Sequence, residues 1–476
     1  MTRINTNVQS LLAARVMNKN TEALNTTLER LSTGLRINRG KDDPAGLIAS
    51  EHMRAEMVAI NAAISNANRA NNMIAVAEGG LQEVNALLLD LENLVGQSAN
   101  EAGMSSEEVA ANQLQIDSIL SSINRIASST QFQSKNLLNG ELDYQTSGVT
   151  TGPTASAITN LQVNAARLPN GGTRGVVVEV TQSAQTAGLV YGTSAIASGG
   201  ATIQVTGNYG SEQLSFASGT AVSAVAAAVN ASTSLTGVSA AVSGGNLLFN
   251  STGYGSSSYV TVEALAGTFT VTGGDSSDTA HGQDVGVTVN GTAAVTDGLR
   301  ASLRTGALDL DMTLAADFAT QTADVKTFTI TGGGADFSIA PTLGVNAKAS
   351  IGIQNVSTGS LGRGDLGYLS SLGSGQTNQL SSENFETAQR IIRAATSQIA
   401  GLRGRLGAFQ KNTLEPSVNS LSVALENTTA AESAIRDADF AKETSNLTRA
   451  QILVQSSTAV LQMANAAPQN ALALLG

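Results

Sequence analysis

Two long stretches near opposite ends of the chain repeat apolar residues at intervals of three and four. One runs from Met57 to Val95 and the other from Phe385 to Phe409. This spacing puts the apolar side chains in a narrow stripe along one face of a helix, which is typical of a coiled-coil seam. Because each stripe needs a partner, we expect the two flanks of the chain to pack against each other.

The residues between these flanks have a different composition. Residues 141–375 contain 36 of the 48 Gly and all six Tyr, and runs such as GVVVEV, ATIQVTG, YVTVEAL and TFTITGG are bounded by Gly, Asn, Ser or Asp. Short β-branched runs of this kind are typical of strands joined by tight turns. The sequence therefore predicts a multidomain fold, with α-helical coiled-coil flanks built from both chain ends and a β-rich (α+β) insert that forms outer domains.

The predicted domain boundaries follow these changes in pattern. A third apolar stripe, beginning at Ile116, follows a break near residues 100–106 and predicts a returning helix in the N-terminal flank. We expect terminal helices at 1–40 and 440–476, an α-helical coiled-coil domain at 41–145 and 376–439, and a variable insert at 146–375 with modules at about 146–270 and 271–375.

The C-terminal tail has no charged residue after Arg449 and is rich in Leu and Ala. Eight Gln, Asn and Ser residues interrupt it and Pro468 would break a helix, so it lacks the roughly 20 consecutive apolar residues of a membrane span. The N-terminal residues lack the basic segment and apolar stretch of a cleaved secretory signal. We therefore expect the tail to bury its apolar face against protein.

Apolar residues in the first and last helices predict self-association. One stripe of the last helix can pair with the first helix, but further apolar residues lie on another side that a two-helix pair cannot cover. Each of these side chains contributes roughly 1.5–3 kcal/mol when it is fully buried. The candidate self-assembly residues are Leu24, Leu28, Leu31, Leu35, Leu447, Leu453, Val454, Val460, Leu461 and Met463.

Composition argues against several other classes of protein. The net charge of -11 does not suit a nucleic-acid partner, and the absence of Cys excludes disulfides and thiolate metal sites. A zinc peptidase needs two His four residues apart with a Glu between them, whereas His52 and His281 are isolated. We expect no catalytic residues, no bound metal and no cofactor.

Two charged segments have alternative interpretations. In RGKDDPAG the paired Asp42 and Asp43 could serve acid–base chemistry, but their position before Pro44 favours capping of the next helix. The alternating charges of IRDADFAKE, residues 435–443, predict a hinge or an intersubunit salt-bridge patch, with a solvated helix face as the alternative.

Several motifs at both ends resemble the conserved ends of bacterial flagellins. They are INTNVQSLLAARVMNKN, LERLSTGLRINRGKDDPAGLIASEHMR, AESAIRDADFAKETSNLTRAQIL and APQNALALL. The resemblance covers about residues 1–140 and 380–476 and keeps the family order of motifs. The sequence departs from the family where Pro44 replaces the usual Ala, where Pro416 interrupts the C-terminal seam and where Gly476 replaces a terminal Arg.

The resemblance implies a structural subunit, not an enzyme, that self-polymerises into the extracellular flagellar filament used for swimming motility. The terminal helices would form the inner core of the filament, with Lys41, Asp42, Asp43 and Pro44 in the linker between its two layers, and the insert would face outward. The implied partners are further copies of the chain, a flagellar export chaperone, and hook-associated and cap proteins. Type III export without a cleaved signal peptide is also implied, with no nucleic acid and no membrane span.

Two alternative functions share parts of this architecture. A hook–filament junction protein, an adaptor present in few copies, has the same terminal-helix plan. The complete block ESAIRDADFAKETSNLTRAQIL and the ending QNALALL favour the filament subunit. A soluble coiled-coil adhesin would not need an uncharged tail.

The resemblance also implies a region read by the innate-immune receptor for flagellin. Recognised family members carry an Arg four residues before a Leu on the long helix, and a Glu on the returning helix. Here Asp90 occupies the Arg position, Leu94 is retained, and Gln115 occupies the Glu position. These differences predict weak recognition by the receptor; the alternative, compatible with it, is that Asp90 is simply a solvated position on the outer face of the helix.

Overall fold

The computed structural model describes residues 6–473 except 101–102, 104, 150–156, 170–171, 277, 365 and 381–383. A π-helical turn, Gln410–Leu414, separates two of the C-terminal helices. The α-helices of the described residues are α1 (Val8–Thr33), α2 (Pro44–Ser98), α3 (Ser106–Ser129), α4 (Val222–Ala231), α5 (Thr233–Thr236), α6 (Ala316–Ala319), α7 (Phe385–Phe409), α8 (Glu415–Arg436) and α9 (Phe440–Ala473).

The strands lie between α3 and α7. They are β1 (Gln131–Phe132), β2 (Lys135–Asn136), β3 (Tyr144–Ser147), β4 (Ile158–Ala166), β5 (Arg174–Gln182), β6 (Thr186–Tyr191), β7 (Ala201–Gly207), β8 (Ser211–Phe216), β9 (Val238–Ser243), β10 (Asn246–Tyr254), β11 (Tyr259–Gly267), β12 (Val271–Thr272), β13 (Thr279–His281), β14 (Gly286–Val289), β15 (Thr292–Ala293), β16 (Val295–Asp297), β17 (Arg300–Arg304), β18 (Leu308–Leu314), β19 (Val325–Gly333), β20 (Ala335–Ser338), β21 (Lys348–Ile351), β22 (Gly362–Arg363) and β23 (Gly367–Tyr368). Every strand pair among the described residues is antiparallel. Helical flanks around a β-rich insert were predicted, and the structure confirms both.

The chain divides into two compact units. The first comprises Met1–Asn68, Ile339–Leu343 and Leu414–Gly476, and the second comprises Arg69–Ser338 and Gly344–Thr413. In the first unit α1 packs along α9, and Ile60 and Ala63 of α2 pack with Leu421 of α8 in a small apolar cluster. Both flanks of the sequence thus contribute to one unit, as the paired apolar stripes predict.

In the second unit the apolar stripes of α2, α3 and α7 are buried. Leu88 and Leu91 of α2 and Ile399 of α7 are completely buried, and Arg393 of α7 lies 2.9 Å from Glu92 of α2 (Nε to Oε1). A capping box at Ser105 starts α3, because the Ser105 side chain accepts from the Glu108 N–H while the Glu108 side chain accepts from the Ser105 N–H. The buried faces of these helices are therefore the apolar stripes that the spacing of three and four residues predicts.

The insert contains two apolar cores, each between a pair of sheets. The host module, residues 144–184 and 284–333, has sheets with the strand orders β15-β14-β5-β19-β3 and β16-β17-β18-β4 around one core. The nested module, residues 185–283, has sheets with the orders β12-β6-β10-β9 and β13-β11-β7-β8 around the other core, to which α4 contributes Val225 and Val229. Because one module is inserted within the other, the division predicted near residue 270 does not coincide with the boundaries of these cores.

Candidate self-assembly surface

Polar contacts fix α1 antiparallel to α9. The Asn7 side chain caps α1 by accepting from the Ser10 N–H at 3.0 Å, and its Nδ2 donates to the Ala464 carbonyl at 2.8 Å. Further along, Asn20 Nδ2 donates to the Ser457 hydroxyl at 2.5 Å. These contacts place the first turn of α1 beside the far part of α9, so the two helices run side by side over most of their length.

An ion pair lies at the other end of the same helix pair. Arg30 Nη1 is 3.5 Å from Glu443 Oε1, and the Glu443 side chain is only 8% exposed. Arg30 Nε and Glu443 Oε2 have no hydrogen-bond partner. Removing one member of such a pair leaves the other charge poorly compensated, which costs more than the intact pair contributes. The pair therefore fixes the register of α1 against α9 more than it adds stability.

The two segments that follow α1 and precede α9 are joined by backbone hydrogen bonds. Leu35 and Asp437 form an isolated antiparallel bridge. The Arg36 N–H donates to the Arg436 carbonyl at 2.7 Å, and the Ala438 N–H donates to the Gly34 carbonyl at 2.9 Å. Residues 436–438, within the segment 435–443 predicted as a hinge or an intersubunit salt-bridge patch, thus contact residues 34–36 of the same chain.

The predicted linker residues divide into distinct roles. Asp43 Oδ1 accepts from the Gly46 N–H at 2.9 Å and so caps α2, as predicted. Asp42 does not cap α2, since its Oδ2 accepts instead from the N–H groups of Asn38 (3.2 Å) and Arg39 (2.9 Å). The hydrogen bond from Arg39 is the largest effect that lowers the pKa of Asp42. Lys41 and Pro44 are exposed.

The predicted self-assembly residues fall into two groups by exposure. In α1 and the residue after its cap, Leu24, Leu31 and Leu35 are half-buried while Leu28 is 44% exposed. Those of α9 that are half-buried are Leu447, Val454 and Leu461. Those of α9 that are exposed are Leu453, Val460 and Met463. The pairing of α1 with α9 therefore covers one side of each helix.

Sequence reasoning missed further exposed apolar residues. In α1 they are Val8, Leu11, Leu12 and Val16, and in α9 they are Phe440 and Ile452. The signal for the α1 group was present, because its members recur at helical spacing on a different side from the partly buried Leu24 and Leu31. We call the exposed set Val8, Leu11, Leu12, Val16, Ile452, Leu453, Val460 and Met463 the terminal apolar surface.

The candidate receptor residues lie on α2 and α3 of the second unit. Asp90 and Gln115 are exposed, and Leu94 is half-buried. The residues that precede Asp90 and Gln115 in sequence, Leu89 and Leu114, are also exposed, at 52% and 69%. Both polar side chains are thus accessible to a partner.

The isolated His residues have simple surroundings. His52 is exposed on α2. His281 Nδ1 lies 2.8 Å from Asp275 Oδ2, at the exposed edge of the nested module. Among the described residues no group of three or more His, Cys, Asp or Glu side chains is placed to hold a metal ion. Within the same part of the chain, no helix has both the length and the apolarity required to cross a membrane.

Comparison with known proteins matches both helical flanks to families. Residues 4–143 match the bacterial flagellin N-terminal helical region, and residues 389–475 match the bacterial flagellin C-terminal helical region. Flagellin D of Vibrio anguillarum is 27% identical over 474 residues, covering 99% of each chain. A flagellin of Salmonella typhimurium strain LT2 is 28% identical over 530 residues, again covering 99% of each chain.

A similar solved structure is that of the flagellar junction protein FlgL from Legionella pneumophila. It is 12% identical to this chain, with a TM-score of 0.28, and the match covers 82% of this chain and 99% of that one. At this TM-score the similarity does not bear on function.

Proposed function

Since the chain belongs to the bacterial flagellins, the non-enzymatic subunits of the extracellular filament used for motility, we propose that it polymerises with further copies of itself through the terminal apolar surface. The supporting observation is that α1 and α9 pack together yet leave large apolar side chains exposed on both helices. Monomeric proteins rarely leave a large contiguous apolar patch open to water. A second copy of the same chain is the occupant that this family requires.

The free energy available from burying this surface is comparable to the cost of association. Complete burial of one such side chain contributes roughly 1.5–3 kcal/mol, and these side chains are already partly covered. Even at half that value, the eight residues supply about 6 kcal/mol or more, which lies within the estimated cost of fixing one protein on another, about 4–15 kcal/mol. Contacts with more than one neighbouring copy would increase the gain.

A head-to-tail arrangement fits the distribution of this surface. The exposed residues of α1 and those of α9 are different sets, so a contact between the α1 set of one copy and the α9 set of the next is heterologous. Heterologous contacts that do not close into a ring generate open helical polymers. This is the symmetry that a filament needs and that a closed dimer lacks.

The proposal assigns each part of the chain a place in the filament. Residues 1–40 and 440–476 form the inner core, residues 41–145 and 376–439 form the surrounding coiled-coil layer, and the insert faces outward. The segment 41–44 links the two layers, supported by the capping of α2 by Asp43 and by the turn that Asp42 closes. Family membership further supports export without a cleaved signal peptide and transient contacts with an export chaperone and with hook-associated and cap proteins.

Seeded elongation tests the proposal. Leu11→Ser removes an exposed apolar side chain of α1 and should raise the critical concentration for elongation about tenfold or more. The matched control is Leu235→Ser, because Leu235 is similarly exposed (60% against 69%) but lies in α5 of the nested module. Equal effects of the two substitutions would contradict the proposal. Failure of the unmodified chain to elongate beyond a few copies would favour the junction protein.

A further inference from the structure

The chain crosses between the host module and the nested module at two adjacent points. It leaves the host module after β5 and returns before β14, and the two crossing segments are joined by an isolated bridge between Gln185 and Gln283. The N–H of each donates to the carbonyl of the other at 2.9 Å. Two neighbouring connections of this kind define a hinge axis, about which modules with separate cores move by default.

A loop of the nested module, residues 254–258, makes a third contact with the host module beside the two crossing segments. Tyr254, the last residue of β10, packs against the core of the host module. The Gly255 N–H donates to the Gln185 carbonyl at 3.2 Å. The backbones of Gly255 and Gly298 are so close that a Cβ on Gly255 would lie 2.5 Å from Gly298 Cα. No side chain larger than hydrogen fits between this loop and the host-module turn at Gly298.

The carboxylate of Asp284 joins the same loop to the same turn. Its Oδ1 accepts from the N–H groups of Ser256 (2.9 Å) and Gly298 (2.7 Å), and its Oδ2 accepts from the Ser256 hydroxyl at 2.6 Å. The hydrogen bond from the Ser256 hydroxyl, together with those from the two backbone N–H groups, holds the pKa of Asp284 below its usual value. Hydrogen bonds to an ionised acceptor are shorter and about twice as strong as those between neutral groups.

We propose that Asp284 is a positioning residue that fixes the orientation of the nested module on the host module, so that the two move as one rigid body. Asp284 stands at the return crossing, while its partners come from a loop of one module and a turn of the other. It therefore adds a third connection between the modules, beside the two crossing segments. The outer surface of the insert then keeps one fixed shape.

A distance measurement between the modules tests this role. The chain has no Cys, so Ser243→Cys and Thr292→Cys, at exposed positions, place one spin label on the nested module and one on the host module. Pulsed electron spin resonance of the full-length chain should give one narrow distance distribution. Adding Asp284→Ala should widen that distribution about twofold or more, since free modules reorient by default.

The matched control is Asp275→Ala. Asp275 also makes a 2.8 Å carboxylate contact, but with His281 inside the nested module, so its loss should leave the distribution unchanged. Circular dichroism and tyrosine fluorescence verify that each variant is folded. If Asp284→Ala does not fold, Ser256→Ala replaces it as the test, because this substitution removes only the 2.6 Å hydroxyl contact. We expect Ser256→Ala to widen the distance distribution by less than twofold. An unchanged distance distribution in a folded Asp284→Ala variant would overturn the proposal. If Asp284→Ala does not fold, an unchanged distribution in Ser256→Ala would overturn it instead. Equal widening in the Asp275→Ala control would also overturn it.

Discussion

The carboxyl group of Asp143 makes the stability of the fold depend on pH between about pH 4 and about pH 6. Burial raises its pKa from 3.8 to about 6, against the opposing effects of a hydrogen bond from the Tyr144 N–H and the positive charge of Arg405. The folded carboxyl therefore binds its proton more tightly than the unfolded one, and the free energy of unfolding falls as pH rises from about 4 to about 6. The full effect is about 3 kcal/mol.

Replacing Asp143 by Asn removes this charge but keeps an oxygen for the Tyr144 N–H. We expect Asp143→Asn to raise the free energy of unfolding by about 2 kcal/mol at pH 7 and to change it little at pH 4. Tyrosine fluorescence during urea unfolding is the measurement, because the chain has no Trp and all six Tyr lie within residues 141–375. The same gain at both pH values would show that burial of the charge is not the cause.

Asp90 and Gln115 carry a prediction about the receptor for flagellin. A charged hydrogen bond contributes about 1.5–3 kcal/mol. An Asp at the position where recognised family members carry Arg should therefore lower the affinity for the receptor by roughly tenfold or more. We expect weak activation of receptor-bearing reporter cells by the monomer, and partial recovery with Asp90→Arg plus Gln115→Glu. Assembly of that double variant should be unaffected. Strong activation by the unmodified monomer would refute the prediction.

Individual polar residues near Pro44 show the limit of sequence reasoning. Both Asp42 and Asp43 precede the first turn of α2, and a capping preference applies equally to each. Only the path of the preceding loop decides that Asp43 reaches Gly46 while Asp42 reaches back to Asn38 and Arg39. That path depends on contacts formed by the whole loop, which the local sequence does not specify.

We expect assembly to depend most on helix α9. Deleting Gln451–Gly476 leaves only residues 440–450 of this helix, and isolated helices shorter than about 12–15 residues are marginal in water. The deletion also removes the partners of Asn7, Ser10 and Asn20. Helix α1 then has no long partner to pack against.

We expect the shortened chain to keep a folded coiled-coil domain and insert but to lose filament growth. The apolar clusters of both insert modules contain no residue of α9. Tyrosine fluorescence should therefore match that of the full chain, whereas electron microscopy should show no filaments after seeding. Filaments of normal length from the shortened chain would contradict the role assigned to α9.

The helices were easier to predict than the arrangement of the strands. A helix packs along a stripe whose period is visible in the sequence, as for the residues from Ile60 to Val95. Strand alternation shows that a segment such as β5 is half-buried, but not that it pairs with β14 and β19, more than 100 residues away. Such long-range pairing produces the nesting of one module within the other, and it leaves no local signal.

For the whole molecule, motifs at the two ends indicated the family, and matches to residues 4–143 and 389–475 confirmed it. Those matches do not include most of the insert. The proposed coupling of its modules through Asp284 could not be predicted, because Ser256 and Gly298 are 28 and 14 residues away in sequence and belong to different modules.

The central claim is that the terminal apolar surface is covered by another copy of the chain in the filament. Because the chain has no Cys, Leu12→Cys introduces a single thiol on the exposed side of α1, and Leu235→Cys provides a control thiol in the nested module. The most direct measurement is the rate of thiol alkylation in monomers and in seeded filaments. We expect the thiol at position 12 to react in monomers and to be protected in filaments, with position 235 reacting in both. Equal reaction of position 12 in monomers and filaments would contradict the claim.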